Sequence, residues 1–184
     1  MRRKTLKKAV LCAFFLALGL TLPFLTGQIR SVGNMLLPMH IPVFLCGLIC
    51  GGPWGAAVGF ILPLFRSALF GMPPLYPEAV SMAFELAVYA GASGLLYGRV
   101  FRRRMGGLYA SLIAAMVAGR LVWGAVKALL LGFGGKAFTL QMFVAGAFIN
   151  ALPGIAVQLI LILGVMTALH LVEKKTPIKS ANGR

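Results

Sequence analysis

Acid is what this sequence has least of. Asp and Glu together number three among 184 residues, against 18 Lys and Arg. With so few carboxylates there is no paired-carboxylate motif for general acid–base catalysis, and no catalytic nucleophile motif accompanies them. Charged residues of all kinds make up 11% of the chain, where a soluble domain carries about a quarter. A G-x-x-x-x-G-K-[ST] phosphate loop is absent, so the chain has no such site for hydrolysing a nucleotide. Cysteine is sparse. Cys12, Cys46 and Cys50 fall in apolar stretches with no His at metal-ligand spacing, so they read as small apolar residues rather than a disulfide frame or zinc site. Neither a metal nor a cofactor is expected.

What is abundant is hydrocarbon. Hydrophobic residues reach 60% and the mean hydropathy is +0.93, which points to lipid as the solvent. A crossing helix needs about 20 apolar residues to span about 30 Å, and the pattern predicts six. The fold class expected is an all-α membrane protein, a bundle of six transmembrane helices over residues 6–25, 36–50, 54–70, 78–97, 108–131 and 140–172. The chain reads as one integral membrane domain with a polar tail, 173–184. Helix 2 is short and opens with Pro38 and Pro42; helix 6 is expected to break or bend near Pro153. The opening MRRKTLKKAVLCAFFLALGLTLPFLTG has the basic and apolar regions of a signal peptide. No A-x-A-like site follows, so a retained first helix is expected.

The net charge of +15 would suit nucleic acid, but its distribution argues otherwise. The basic residues abut apolar segments: Arg2, Arg3, Lys4, Lys7 and Lys8 before helix 1, Arg99, Arg102, Arg103 and Arg104 between helices 4 and 5, and Lys174, Lys175, Lys179 and Arg184 after helix 6. All lie on one side if both termini are cytoplasmic, leaving Arg30 and Lys136 on the other, as the positive-inside rule requires. The chain is therefore expected to be a multi-pass protein of the cell (inner) membrane. A re-entrant hairpin for helices 2 and 3 satisfies the same charge count, because Gly51-Gly52-Pro53 carries none.

Five ionisable residues fall inside the spans: His40, Arg66, Glu85, Arg120 and Lys127. A charge at mid-bilayer costs at least about 2.5 kcal/mol, so such residues face a bundle interior or a wet cavity. Glu85 lies about 10 Å below the outer end of helix 4 at the usual helical rise. Arg120 and Lys127 share one face of helix 5. All five belong to the outer half or the midplane, which predicts a pocket open to the outside. Three fixed cations against one buried carboxylate leave a positive surplus that suits an anionic ligand. Each residue also has a structural role open to it: snorkelling for Arg66 and Lys127, an ion pair for Glu85 and Arg120, a helix cap for His40. Aromatics near the outer face (Phe70, Tyr76, Phe133, Phe138) suit interfacial anchoring or stacking on a ring. Gly146, Asn150, Gly154 and Gln158 form a small or polar stripe on helix 6, and Ala9, Ala13 and Ala17 a smooth strip on helix 1. Both stripes suit close helix approach.

These features, with the run from Leu37 to Tyr89 and especially Pro38-Met39-His40-Ile41-Pro42, Gly52-Pro53-Trp54-Gly55 and Gly71-Met72-Pro73-Pro74, resemble the substrate-binding S components of energy-coupling factor (ECF) transporters. The closest likeness is to the group that takes folate, pantothenate and cobalamin. The resemblance implies a six-helix bundle holding a vitamin near its outer face, and partners: a membrane coupling subunit and two cytoplasmic ATPases. It makes Ala9, Ala13 and Ala17 the docking face and the loop with Arg30 and Asn34 a lid. Glu85, Arg120, Lys127 and Asn150 then fall on helices that line the pocket. The positive surplus favours an anionic vitamin such as pantothenate or folate. The competing readings are a self-sufficient carrier or channel, against which no inverted repeat is visible, and an intramembrane enzyme using Glu85 and His40.

Overall fold

The computed structural model describes residues 2–26, 38–101, 104–135, 137–149 and 151–175. Helix α1 (Arg2–Thr21) tightens into a 3-10 turn at Leu22–Thr26, and α2 (His40–Cys50) follows. Gly51, at φ +102°, makes the sharp reversal into α3 (Gly52–Phe70). Helix α4 (Val80–Leu95) is flanked by wider π-type turns at Leu75–Ala79 and Leu96–Val100. Helix α5 (Met105–Phe133) is the longest. Helix α6 (Leu140–Val144) runs into a π-type turn at Ala145–Ile149 and is separate from α7 (Leu152–Lys175). Pro153 occupies the first turn of α7, where its missing N–H costs no hydrogen bond. No strand occurs among the described residues.

Among the described residues, five segments are long and apolar enough to cross a membrane: Arg3–Phe24, Gly52–Phe70, Leu75–Val100, Gly106–Phe133 and Leu152–Val172. The sequence predicts six. The difference is α2, whose 11 residues rise about 16 Å, roughly half the hydrocarbon thickness. Leu36 and Leu37, placed in that helix by the sequence, lie outside the described residues. In the most apolar windows of α1 and α7 only 17% of the residues are buried. Leu6, Val10 and Phe14 of α1 and Ile160, Leu161 and Leu171 of α7 point away from the protein, an arrangement that lipid tolerates and water does not. With the apolar spans, this makes the chain a multi-pass membrane protein.

Glycine sets the packing of the central layer. A Cβ added at Gly47 would strike the backbone of Ala90; one at Gly94 would strike the carbonyl of Gly47; one at Gly55 would strike Gly47 itself; one at Gly59 would strike Leu86. The backbones of α2, α3 and α4 therefore touch, the close approach that small residues permit in lipid, where no hydrophobic drive holds helices together. Around this contact the core closes with Val43, Phe44, Leu62 and Leu86, and beyond them with Leu108, Leu112 and Ile162. Buried hydroxyls return their hydrogen bonds to their own helices: Ser81 donates to the Glu78 carbonyl at 2.9 Å and Ser111 to the Leu108 carbonyl at 2.8 Å, so neither is left unsatisfied in an apolar setting.

Candidate functional site

The α4–α5 seam carries the buried charge. Glu85 on α4 faces Arg120 on α5, Oε1 to Nη1 at 2.9 Å. Tyr89, one turn after Glu85, donates its hydroxyl to the same carboxylate oxygen at 2.9 Å. Gly119 lets the Tyr89 ring lie against α5, since a Cβ there would occupy the ring's space. The ring stacks on Phe44 of α2 with centroids 4.9 Å apart and also meets His40 at 5.5 Å. His40, Tyr89, Glu85 and Arg120 thus form one buried chain across three helices. An ion pair here needs such support, because charge in a low-dielectric interior is repaid only with good geometry and further hydrogen bonds.

Two turns outward the seam repeats. Lys127 donates to both oxygens of Glu78, at 2.7 and 2.9 Å, and its ammonium sits 4.7 Å from the centre of the Trp123 ring. The helices run antiparallel, so a seven-residue step on each (Glu78 to Glu85, Arg120 to Lys127) places the two pairs as successive rungs. The inner rung is buried, with side chains 6% and 2% exposed, and the outer one opens, at 15% and 39%. Glu78 overturns the charge balance expected from sequence. It neutralises Lys127, so the four charges of the seam sum to zero.

The positive surplus that remains is Arg66, and it is committed elsewhere. Its Nη1 donates to the Leu20 carbonyl at 2.7 Å, and its guanidinium lies 5.4 Å from the centres of both the Phe24 and Phe70 rings. Those rings meet edge to face at 5.0 Å. Arg66 therefore ties α3 to the end of α1, donating to a carbonyl of that helix's last turn.

Arg120 retains binding capacity. Only Nη1 is engaged by Glu85. Its Nε and Nη2 are buried and have no hydrogen-bond partner among the described residues. These two nitrogens form the side edge of the guanidinium, whose parallel N–H bonds match the two oxygens of a carboxylate or phosphate. Beside the seam, Leu121, Gly124, Ala125 and Ala128 of α5 face Phe138, Thr139, Leu140 and Phe143 across an open, largely apolar groove of about 330 Å³, within the size range of small-molecule sites. Trp123 links groove and seam. Its ring lies beneath the Lys127 ammonium and meets Phe138 and Phe143 with ring centres 6.1 and 6.3 Å away.

Of the residues singled out from sequence, Glu85, Arg120 and His40 come together directly or through Tyr89, and Lys127 joins the same seam. Arg66 serves the α1–α3 junction. Arg30, Asn34 and Asn150 lie outside the described residues. On α1, Ala13 and Ala17 are exposed and Ala9 is half-buried, while Cys12 and Phe15 point inward. Sequence reasoning missed Glu78 as the partner of Lys127, Tyr89 as the second donor to Glu85, and Trp123 beneath Lys127. The seven-residue spacing shared by the two carboxylates and the two cations was the available signal.

A family model described as "ECF transporter, substrate-specific component" matches residues 7–166. No match was found among curated proteins or among solved structures. The match covers most of the 184 residues, and the chain belongs to the family of ECF transporter substrate-specific components.

Proposed function

We propose that this chain captures an anionic vitamin or related small nutrient, of the pantothenate or folate class, and presents it to an ATP-driven importer. Membership of the family makes it a substrate-binding subunit that works with membrane and ATPase subunits. The anionic ligand is the finer reading, and one observation carries it. Arg120 is held by Glu85 through one nitrogen while its two-donor side edge is buried and unfilled among the described residues. A guanidinium so placed costs free energy until an acceptor arrives, and a carboxylate fits the edge with both oxygens. Trp123 and the groove lined by Phe138 and Phe143 supply apolar surface for the rest of the molecule.

The layout that suits this role has six helices in the membrane, counting the short α2, with both termini and the basic loops in the cytoplasm. Ligand then enters from outside. Exposed Ala13 and Ala17, with Ala9, offer a smooth strip for the membrane coupling subunit, to which two cytoplasmic ATPases attach. No catalytic role follows, and no cofactor is required.

The test is a binding screen on the purified full chain, without ATP, against a panel of vitamins. An anionic vitamin should bind tightly and shift thermal unfolding. Arg120→Lys, which keeps the charge but loses the fork, should weaken that binding strongly. Binding only of uncharged or cationic vitamins would overturn the anionic reading. Uptake by this chain alone, in vesicles that lack ATPases, would overturn the subunit reading in favour of a carrier.

A further inference from the structure

The three cysteines converge. Cys12 projects inward from α1, and Cys46 and Cys50, one turn apart, face it from α2. Their Sγ atoms all lie within 4.8 Å of one another, with Cys12 and Cys46 at 3.7 Å. All three are buried and none is in a disulfide. They stand apart from the Glu85–Arg120 seam, and nothing in the binding role uses them.

We propose that Cys12, Cys46 and Cys50 form a three-sulfur site for one soft d10 cation, of which Cu(I) is the fitting case. At a metal–sulfur bond of about 2.3 Å, planar three-coordination sets the sulfurs about 4.0 Å apart. The observed separations, 3.7 Å for Cys12 and Cys46 and none beyond 4.8 Å, straddle that spacing, so modest χ1 rotations complete it. Thiolate donors select soft ions. These are the only three metal-ligating side chains that cluster among the described residues. A set of three suits an ion content with trigonal coordination better than Zn(II), which takes four ligands in structural sites.

The mounting is rigid on one side. Cys46 and Cys50 flank Gly47, the residue whose backbone touches α3 and α4, so α2 holds their position. Cys12 comes from α1, and an ion here would bridge the two helices. Lys8 stands one turn before Cys12 on the same helix. Binding involves no electron transfer. Each thiol that ligates as thiolate releases its proton, and the sulfur lone pair forms the new bond.

The experiment titrates the purified, reduced full chain with Cu(I) alone, anaerobically, against a chromophoric Cu(I) chelator. The expected result is one equivalent withdrawn from the chelator, with an ultraviolet thiolate-to-metal charge-transfer band. Each of Cys12→Ala, Cys46→Ala and Cys50→Ala should weaken binding at least about tenfold. Helicity and thermal unfolding of the variants, measured without metal, identify any that misfold. The wild-type titration stands whatever those variants do. Failure of the wild-type protein to compete, or competition that persists when the cysteines are replaced in folded protein, overturns the proposal. Neither readout requires a vitamin or an ATPase partner.

Discussion

Glu85 and Arg120 meet at 2.9 Å in the buried middle of the α4–α5 seam, and Tyr89 donates to the same carboxylate oxygen. The pair is held from one side only. Glu85 has two donors, whereas Arg120 keeps a side edge without a partner among the described residues. That asymmetry separates a pair that merely closes a core from one that leaves a donor available.

Glu85→Gln should therefore be costly. It leaves Arg120 buried without a counter-charge, a change worth about 3–5 kcal/mol when a buried pair is broken. Thermal unfolding of the purified protein should show a large drop in midpoint. A change of only a degree or two would mean that water or lipid headgroups already solvate the pair.

The outer rung should respond differently. Glu78→Gln and Lys127→Met break a pair whose carboxylate is 39% exposed, and such pairs contribute about 0–1 kcal/mol. Stability should change little, and unfolding midpoints of both variants should stay close to the parent. If Lys127→Met nonetheless weakens vitamin binding, the lysine acts on the ligand rather than on the fold.

Gly47→Val and Gly94→Val should disrupt the central layer, because even their first added carbon would enter a neighbouring backbone. Gly98→Ala is the matched control, with nothing within 4 Å of its added carbon. The two valine variants should be recovered in poor yield or with sharply lowered unfolding midpoints. Equal behaviour of all three would mean that α2 and α4 can separate freely.

Arg66→Ala removes the 2.7 Å bond to the Leu20 carbonyl and a cation lying against two rings. A hydrogen bond from a charged donor contributes about 1.5–3 kcal/mol. Hydrogen exchange should quicken in the last turn of α1 while α4 and α5 keep their protection. Loss of protection spread evenly over the molecule would give Arg66 a wider role than that junction.

Ala13→Trp and Ala17→Trp place bulk on an exposed face of α1. Transport by the assembled importer should fall to background while vitamin binding by the isolated chain persists. Loss of binding together with transport would make the alanine strip part of the chain's own packing.

Much of this was legible before any coordinates. Apolar runs and basic flanks mark helices, and the rarity of intramembrane charge makes Glu85, Arg120 and Lys127 conspicuous. What the sequence could not show were relations between helices. Glu78 sits at a helix opening and looks like an exposed end residue. Only the antiparallel register of α4 and α5 brings it to Lys127. Arg66 resembles the other intramembrane cations until the end of α1 is placed beside it. The cysteines read as small apolar residues because Cys12 is 34 positions from Cys46, a separation that only the packing of α1 on α2 closes. The start expected for helix 2, at Leu36, lies outside the described residues, and from His40 to Cys50 the helix is where the apolar run places it.

The glycine contacts at Gly47, Gly55, Gly59 and Gly94 also constrain how the molecule can move. Backbones in direct touch leave no room for a side chain between them, so any movement that carried one into these contacts would be blocked. Helices α2, α3 and α4 therefore behave as a fixed frame. In the role proposed above, an opening that admitted a ligand to Arg120 would fall to the parts hung on that frame, α5 with the α6 segment, as a door turns on its jamb.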